Sequence, residues 1–394
     1  MIIGKYSRLS KTLRKPQVLA TTIVFFFCTL GILLLVLTSA ATNGIVVEPE
    51  SGSLQPPATS LANDSDASGG YIRFGTAPVA PVEKFVSTTG SDTSDGSSTS
   101  PWRTLKKGFE SIRPGEVLTI SGGTYIERIV NPNITAGTSA QPITIRAKKG
   151  EEPILQGLLH FTGAHHWTID GLHVTWDADL VADQNNHMTK MINSTSWTWK
   201  NSQFSNANAF SALLISGGSD WKLIENYLHD TIPVETHGVN QDHLVYISDG
   251  VGGGVIERNI LKTSPNGRGV KIGPPSASTT PLGNVIIRYN TFYDNQGPSN
   301  IQLSYGASGN QIYLNIFVKS KDGYANITAF NLSGSGNIVR DNVGWESSGV
   351  MQNGITGLSD GGGNLFINPS LANPTNDNFV PTNATANQYG HLAP

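Results

Sequence analysis

Trp221-Lys222-Leu223-Ile224-Glu225-Asn226-Tyr227-Leu228 and Val285-Ile286-Ile287-Arg288-Tyr289-Asn290-Thr291-Phe292 fill one frame: apolar, any, apolar, any, any, Asn, any, apolar. Partial copies run through Ile256, Asn259 and Leu261, through Ile312, Asn315 and Phe317, and through Val339 and Asn342. Two earlier copies place Leu172 and Ser202 in the Asn slot, with Ile169 and Trp199 three residues before. The slots fall at 172, 202, 226, 259, 290, 315 and 342, and self-similarity at such a period signals a stacked array. Apolar positions alternate within each copy, which is strand spacing and not helix spacing. Each unit is too short for a propeller blade and long enough for one coil of a parallel β-helix. Asn has two reasons to recur there: it tolerates the left-handed backbone of a sharp corner, and its amide reaches backbone groups of neighbouring coils. An antiparallel sandwich has no reason to repeat Asn at one phase. Trp167, Trp197 and Trp221 share a slot, which predicts a stack inside the coil.

A solenoid grows by adding coils, so the 394 residues need not divide into several cores. Charged residues make up only 14 % and glycines number 43, which suits a turn-rich β-protein. Cys28 is the sole cysteine, so no intrachain disulfide forms.

The first 44 residues read differently. Lys5, Arg8, Lys11, Arg14 and Lys15 precede an apolar run from Val18 to Leu37, and no acid occurs before Glu48. Twenty apolar residues behind a basic flank are long enough to span a bilayer, with the basic end in the cytoplasm. The expectation is a single-pass signal anchor over 1–44 with the remainder outside the cytoplasm. Ser39-Ala40-Ala41 would suit a signal peptidase, in which case the chain is secreted. Without those five basic residues the chain holds 21 basic against 29 acidic groups, a formal balance of −8. Bulk electrostatic binding of nucleic acid or acidic polymers is therefore not expected, and an acidic substrate would need a local basic site.

Residues 45–82 are rich in Pro, Ser, Gly and Ala and read as a linker. Within it, Glu48-Pro49-Glu50-Ser51-Gly52 and Asp66-Ala67-Ser68-Gly69-Gly70-Tyr71-Ile72-Arg73-Phe74 resemble the opening and a later strand of carbohydrate-binding jelly-roll modules. The stretch is too short to enclose a sandwich core of its own. From 83 to 394, Phe85-Val86-Ser87, Gly90-Ser91-Asp92, Asp95-Gly96, Pro101-Trp102-Arg103-Thr104-Leu105, Gly122-Gly123-Thr124-Tyr125 and Thr168-Ile169-Asp170-Gly171-Leu172 together resemble the pectate-lyase-like superfamily. The resemblance implies an all-β, right-handed parallel β-helix and says little about function. Leu105, Phe109 and Ile112 lie at helical spacing, so a short amphipathic helix is expected to plug the first coil. The tail from Phe366, with Pro369, Pro374 and Pro381, reads as the closing cap.

A second alignment locates chemistry. Ala212-Leu213-Leu214-Ile215-Ser216, Leu244-Val245-Tyr246-Ile247-Ser248, Gly269-Val270-Lys271-Ile272-Gly273, Asn300-Ile301-Gln302-Leu303-Ser304 and Ala329-Phe330-Asn331-Leu332-Ser333 superpose. Val245, Val270, Ile301 and Phe330 then point inward, and Tyr246, Lys271, Gln302 and Asn331 form an outward line. That line supplies a stacking ring and hydrogen-bonding amides for a few sugar units, with Asn300 and Asp242 as further substrate contacts. A lyase must neutralise a uronate carboxylate, remove the C5 proton and let the O4 bond break. Arg268 or Ca²⁺ suits the first task and Lys271 with a lowered pKa the second, Arg268 lowering it by like-charge repulsion. In the lyases of this superfamily a basic residue on an outward strand often serves as base, a role the resemblance offers to Lys271. His243 is a second candidate acid or base.

The segment His229, Asp230, Glu235, His237, Asp242, His243 is dense in titratable groups but lacks a recognised metal spacing. Asp92 and Asp95 are oxygen donors that Ca²⁺ accepts, although Asp in a Gly-Ser turn needs no metal. Pro274–Leu282 reads as an insertion walling one side of a groove, and His165-His166 as a turn. The favoured function is a polyuronate lyase, working as a monomer by β-elimination on a polysaccharide. A non-catalytic surface carbohydrate-binding or adhesion protein is the alternative. A glycoside hydrolase ranks third, because Asp242 and Asp249 are the only acids near the line and flank opposite ends of one strand.

Overall fold

Strand periodicity with a corner amide on each turn dictates coils that stack, and the computed structural model is built that way. It describes residues 58–61, 71–74 and 81–394, apart from 275 and 277–281. The chain divides into two units, Met1–Ala80 and Pro81–Pro394. In the first, Ala58–Leu61 pairs antiparallel with Tyr71–Phe74, Ala58 opposite Phe74. The apolar run 18–37 lies outside the described residues, and no helix among those described is long and apolar enough to cross a membrane.

The second unit is an all-β parallel solenoid with three strand columns. The first face runs through eleven strands, from Glu83–Val86 to Leu358–Gly362. The other two faces share the long strand Pro153–Thr162. Residues 154–156 of that strand pair with His173–Thr175 on the second face, and residues 159–162 with Thr189–Ile192 on the third. Gly157 makes the bend at φ +149°, where a Cβ would meet the Glu127 carbonyl oxygen. The second face continues to Leu365–Phe366, and the third through Ser211–Ser216, His243–Ile247, Val270–Ile272 and Ile301–Ser304 to Ile327–Phe330.

The repeating apolar positions form the interior. Trp221, Leu223, Leu228, Val285, Ile287 and Phe292 are fully buried. Trp197 and Trp221 stack at 5.6 Å between centroids, as the shared slot predicts. Trp167, in register beneath them, packs against Phe161 at 5.2 Å. The next residue in the column is Gly254, and a Cβ there would lie 2.1 Å from the Trp221 ring.

The Asn slot forms a continuous side-chain ladder. Asn226 donates its backbone N–H (2.8 Å) and its amide Nδ2 (3.0 Å) to Asn259 Oδ1. Asn259 does the same to Asn290, Asn290 to Asn315, and Asn315 to Asn342. Ser202 extends it downward: its backbone N–H donates to Asn226 Oδ1, and its hydroxyl accepts from Leu172 N–H. The ladder residues are not themselves left-handed, contrary to half of the expected reason for Asn. The left-handed residue is the one before each: Glu225, Arg258, Tyr289, Leu314 and Asp341, with φ of 51–58°. The amide locks the corner and its neighbour carries the strain.

A seven-residue helix, Leu105–Ser111, buries Leu105 and Phe109. Thr104 caps it, and the half-buried Glu127 carboxylate accepts from Leu105 N–H (2.7 Å) and Lys106 N–H (3.0 Å). The tail departs from the cap expected of it. It folds back along the second face: Asp377 accepts from Tyr227 and Lys262, both at 2.6 Å, and Arg258 donates to the Ala393 carbonyl at 2.5 Å. Tyr389 and Ala386 close a small apolar cluster with Ile316, Val318 and Val343.

Candidate functional site

On the third face the register puts Lys271 opposite Tyr246 on one side and Gln302 on the other. Val245, Val270 and Ile301 are inward and fully buried, so these three polar residues point out as expected. The fourth position is different. Gln302 pairs with Thr328 and Ser304 with Phe330, a shift of three residues from the expected alignment. Ile327 is the inward residue, Phe330 is half-exposed, and Asn331 leaves the line with φ +48°. Asn300 is also not a surface contact. It is fully buried, accepts from Asn295 Nδ2 and donates to Asn326 Oδ1, both at 2.8 Å, forming a second, shorter ladder.

Three contiguous depressions of about 610, 210 and 580 Å³ run along this face. Lys271 lines the first two, and Arg268 and Gln302 the last two. The rungs from Lys190 to Thr328 span about 24 Å at the usual strand spacing. One wall is the loop 231–242. Asp242, expected to touch substrate, is fully buried beneath it. Its carboxylate accepts from His237 Nδ1, Asn266 Nδ2 (2.8 Å) and Val234 N–H (3.3 Å). Asp242 therefore shapes the loop and is sealed from the groove. His237 stacks flat on Phe210 at 3.9 Å, its Nε2 without a protein partner. The insertion Pro274–Leu282, expected to wall the groove, falls mostly outside the described residues.

Lys271 Nζ lies 4.5 Å above the Tyr246 ring and 3.5 Å from its hydroxyl. Burial, and secondarily the Arg268 charge, push the Lys271 ammonium down to about 8. The repulsion expected from Arg268 is thus the smaller cause, and desolvation, which the sequence reading did not name, is the larger. Burial pushes the Tyr246 hydroxyl up to about 12. Arg268 is 3 % exposed, donates from Nη1 to the Asn240 carbonyl at 2.9 Å, and leaves Nε unpartnered. Its own burial takes it down to about 10, still charged at neutral pH. His243 sits beneath. Its Nδ1 accepts from Arg268 N–H at 3.2 Å, and burial together with Arg268 and Lys271 holds it well below the usual histidine range. It is therefore neutral, carries its proton on Nε2, and positions the Arg268 backbone rather than acting as a charged acid.

Among the described residues neither Lys271 nor Arg268 forms an ion pair, whereas Arg128, Lys200, Lys262, Arg288 and Lys319 each meet a carboxylate. Among the described residues Asp249 is the only acid lining the three depressions, so the lining offers Ca²⁺ a single carboxylate. Asp92 is engaged by Arg103 N–H, Thr104 N–H and the Thr104 hydroxyl, and Asp95 by Ser97 N–H. Among the described residues no cluster of three or more His, Cys, Asp or Glu could hold a metal. The titratable segment is itself divided, since His229 turns to the second face, where it bonds Asp230 and Gln203.

Several groove residues escaped the sequence reading: Lys190 and His187 at one end, Tyr305 and Tyr324 at the other. Lys190 was visible in principle. Thr189-Lys190-Met191-Ile192 alternates as its neighbours do and pairs with Leu213–Ser216.

Comparison with known proteins supports the architecture. Residues 84–242 match the family described as Pel9A-like, right handed β-helix region. Solved structures similar to this chain include the pectate lyase Pel9A, at 14 % identity and TM-score 0.49, covering 73 % of this chain and 79 % of that one. An alginate lyase from Paenibacillus sp. matches at 14 % identity and TM-score 0.41 over 65 % and 96 % of the two chains. A glycoside hydrolase matches at 11 % and 0.44 over 72 % and 96 %. No curated protein matches in sequence.

Proposed function

We propose that this pectate-lyase-like right-handed β-helix protein binds an acidic polysaccharide along its third face and cleaves it by β-elimination. The observation that carries the reading is Lys271, an outward, mostly buried amine without an ion pair among the described residues, beside Arg268, which has none among them either, in the middle of a groove. Arg268 receives the uronate carboxylate and takes up the charge that develops on it. Neutral Lys271 removes the C5 proton. The electrons close a C4–C5 double bond and expel O4, which takes the Tyr246 hydroxyl proton. The proton held by Lys271 then returns to Tyr246 across 3.5 Å. No water is consumed, and the products are an unsaturated uronate end and a shortened chain.

Exposed Tyr324 and Phe330 at one end favour a second reading, a sugar-stacking adhesin without turnover. Hydrolysis has less support, because a lone lining carboxylate lacks the partner that glycoside cleavage requires. The helix Leu105–Ser111 fits the plug of the first coil, and the segment 1–44 fits a single-pass anchor holding one solenoid per chain outside the cytoplasm. Incubating the full chain with pectate, alginate and glycosaminoglycans tests the chemistry. Ultraviolet absorbance from an unsaturated uronate is expected with one of them and lost in Lys271→Gln. Binding without absorbance on every polymer would establish the adhesin instead.

A further inference from the structure

We propose that Lys190 forms a second carboxylate-binding subsite, so that the groove grips two non-adjacent uronates of one chain. This rests on reading the groove as a polyuronate site. Lys190 belongs to the strand Thr189–Ile192, whose Thr189 and Met191 are buried, which leaves Lys190 on the outward side. Its register partners are His160 below and Leu214 above. It lines the same 610 Å³ depression as Lys271.

Lys190 makes no ion pair among the described residues. Of the three acids of the adjoining loop, Asp183 is held by Arg128 through both oxygens, at 2.7 and 2.9 Å, Asp177 accepts from Asp179 N–H at 3.1 Å, and neither Asp177 nor Asp179 pairs with Lys190 among the described residues. The flanking rings are neutral: burial takes His187 down to about 3 and His160 to about 4, with the Lys190 charge contributing to both. His187 uses Nδ1 on the Ser211 hydroxyl at 2.8 Å, and His160 uses Nε2 on the His187 carbonyl at 2.7 Å. A partly desolvated cation among neutral polar groups selects an anion. Burial alone lowers the Lys190 pKa, as expected where no carboxylate opposes it.

Three rungs separate Lys190 from Lys271, about 14 Å at the usual strand spacing. Leu214 and Tyr246 occupy the rungs between and offer only apolar and aromatic surface. That is more than one sugar ring, so the subsite is filled only by longer oligomers. The geometry fits a linear polyuronate with repeated acidic residues, and excludes a polymer whose acid is a rare isolated substituent.

Binding of oligogalacturonates and oligomannuronates of two and six units to the full chain tests the subsite, comparing wild type with Lys190→Gln and Lys190→Arg. For the oligomer that binds, Lys190→Gln should weaken the six-unit form about ten-fold, the size of one charge-assisted contact. It should leave the two-unit form unchanged, and Lys190→Arg should retain the long-chain affinity. Equal loss at both lengths, or none at either, overturns the subsite while leaving the function standing. If wild type binds no acidic oligomer of either length, the function itself fails first. A melting temperature no lower in Lys190→Gln than in wild type shows that the variant is folded.

Discussion

The corner ladder and the third-face groove are built from polar residues on the same coils and treat them in opposite ways. In the ladder, Asn226, Asn259, Asn290, Asn315 and Asn342 are buried, and each donor meets the amide oxygen or carbonyl of a neighbouring coil. In the groove, Lys271 and Arg268 are also withdrawn from water, yet no carboxylate opposes them. The first arrangement stabilises by repetition. The second holds charge in a costly state that a bound anion relieves. Burial of a polar group therefore does not distinguish structure from function here, whereas satisfaction of it does.

The sharpest break of that contrast is Lys271→Gln. Loss of the base should lower turnover by about 10²–10⁴-fold. The same change should raise the melting temperature by about 1–2 °C at neutral pH, the scale of 1 kcal/mol for a unit of this size. The sign follows from linkage: the Lys271 pKa falls from 10.5 to about 8 on folding, so the folded state resists the proton that neutral pH imposes. The stability gain should shrink as pH rises from about 8, the folded value, and be gone above the unfolded value of 10.5. A loss of stability, or retained activity, would make Lys271 an ordinary structural lysine. In wild type, kcat/KM should climb through about pH 8 as the amine deprotonates. Arg268→Gln removes the second cause of that depression, so the alkaline limb should move to higher pH while KM rises.

Asn259→Ala probes the other side. It removes the acceptor for both Asn226 donors and the donor to Leu223 O, leaving buried groups unpaired at a cost of about 2–4 kcal/mol. Chemical denaturation should show the loss, with the pH profile of any activity unmoved. A loss below 0.5 kcal/mol, the range ordinary surface substitutions show, would mean that the ladder decorates the coil rather than holding it.

The ladder was legible because every coil makes the same demand, so Asn recurs where the amide is needed and apolar residues recur where the interior is. Even Ser202 fitted, since its hydroxyl takes the same backbone donors. What the frame hid was which residue bears the left-handed turn, because Glu225, Tyr289 and Leu314 carry no sequence mark of it. The groove was legible as far as identical spacing lasted, through Tyr246, Lys271 and Gln302. It failed at the next coil because apolar pattern alone matched Phe330 to Ile301. The discriminating signal was the pair Asn300-Ile301 and Asn326-Ile327, whose amides bond one another at 2.8 Å. The burial of Asp242 was not readable, since it depends on a loop that closes over it from within a single coil.

The back-folded tail offers an intermediate test. Burial alone would raise the Asp377 pKa, but hydrogen bonds from Lys262 and Tyr227 outweigh it and the carboxylate ends below its ordinary value. Asp377→Asn should cost about 1 kcal/mol at neutral pH. The difference should fade as pH falls through the folded-state pKa, where wild type loses the same charge. A pH-independent difference would mean that the tail is held by its apolar cluster alone.

The smallest effect has the opposite sign. Glu225 is exposed at φ +56°, one residue before ladder Asn226, in the place that Gly171 holds before Leu172 and Gly363 before Asn364. A left-handed non-glycine residue costs about 1–2 kcal/mol. Glycine removes that cost but returns about 0.5–1 kcal/mol through unfolded-state entropy. Glu225→Gly should therefore stabilise by up to about 1 kcal/mol, because its backbone bond to the Glu257 carbonyl at 3.0 Å needs no side chain. The gain should appear as slower unfolding or a higher melting temperature, with substrate affinity unchanged, since the corner lies off the third face. Destabilisation would show that the left-handed turn is imposed by something other than backbone geometry, and the division between a strained, self-satisfied corner and a charged, open groove would have to be redrawn.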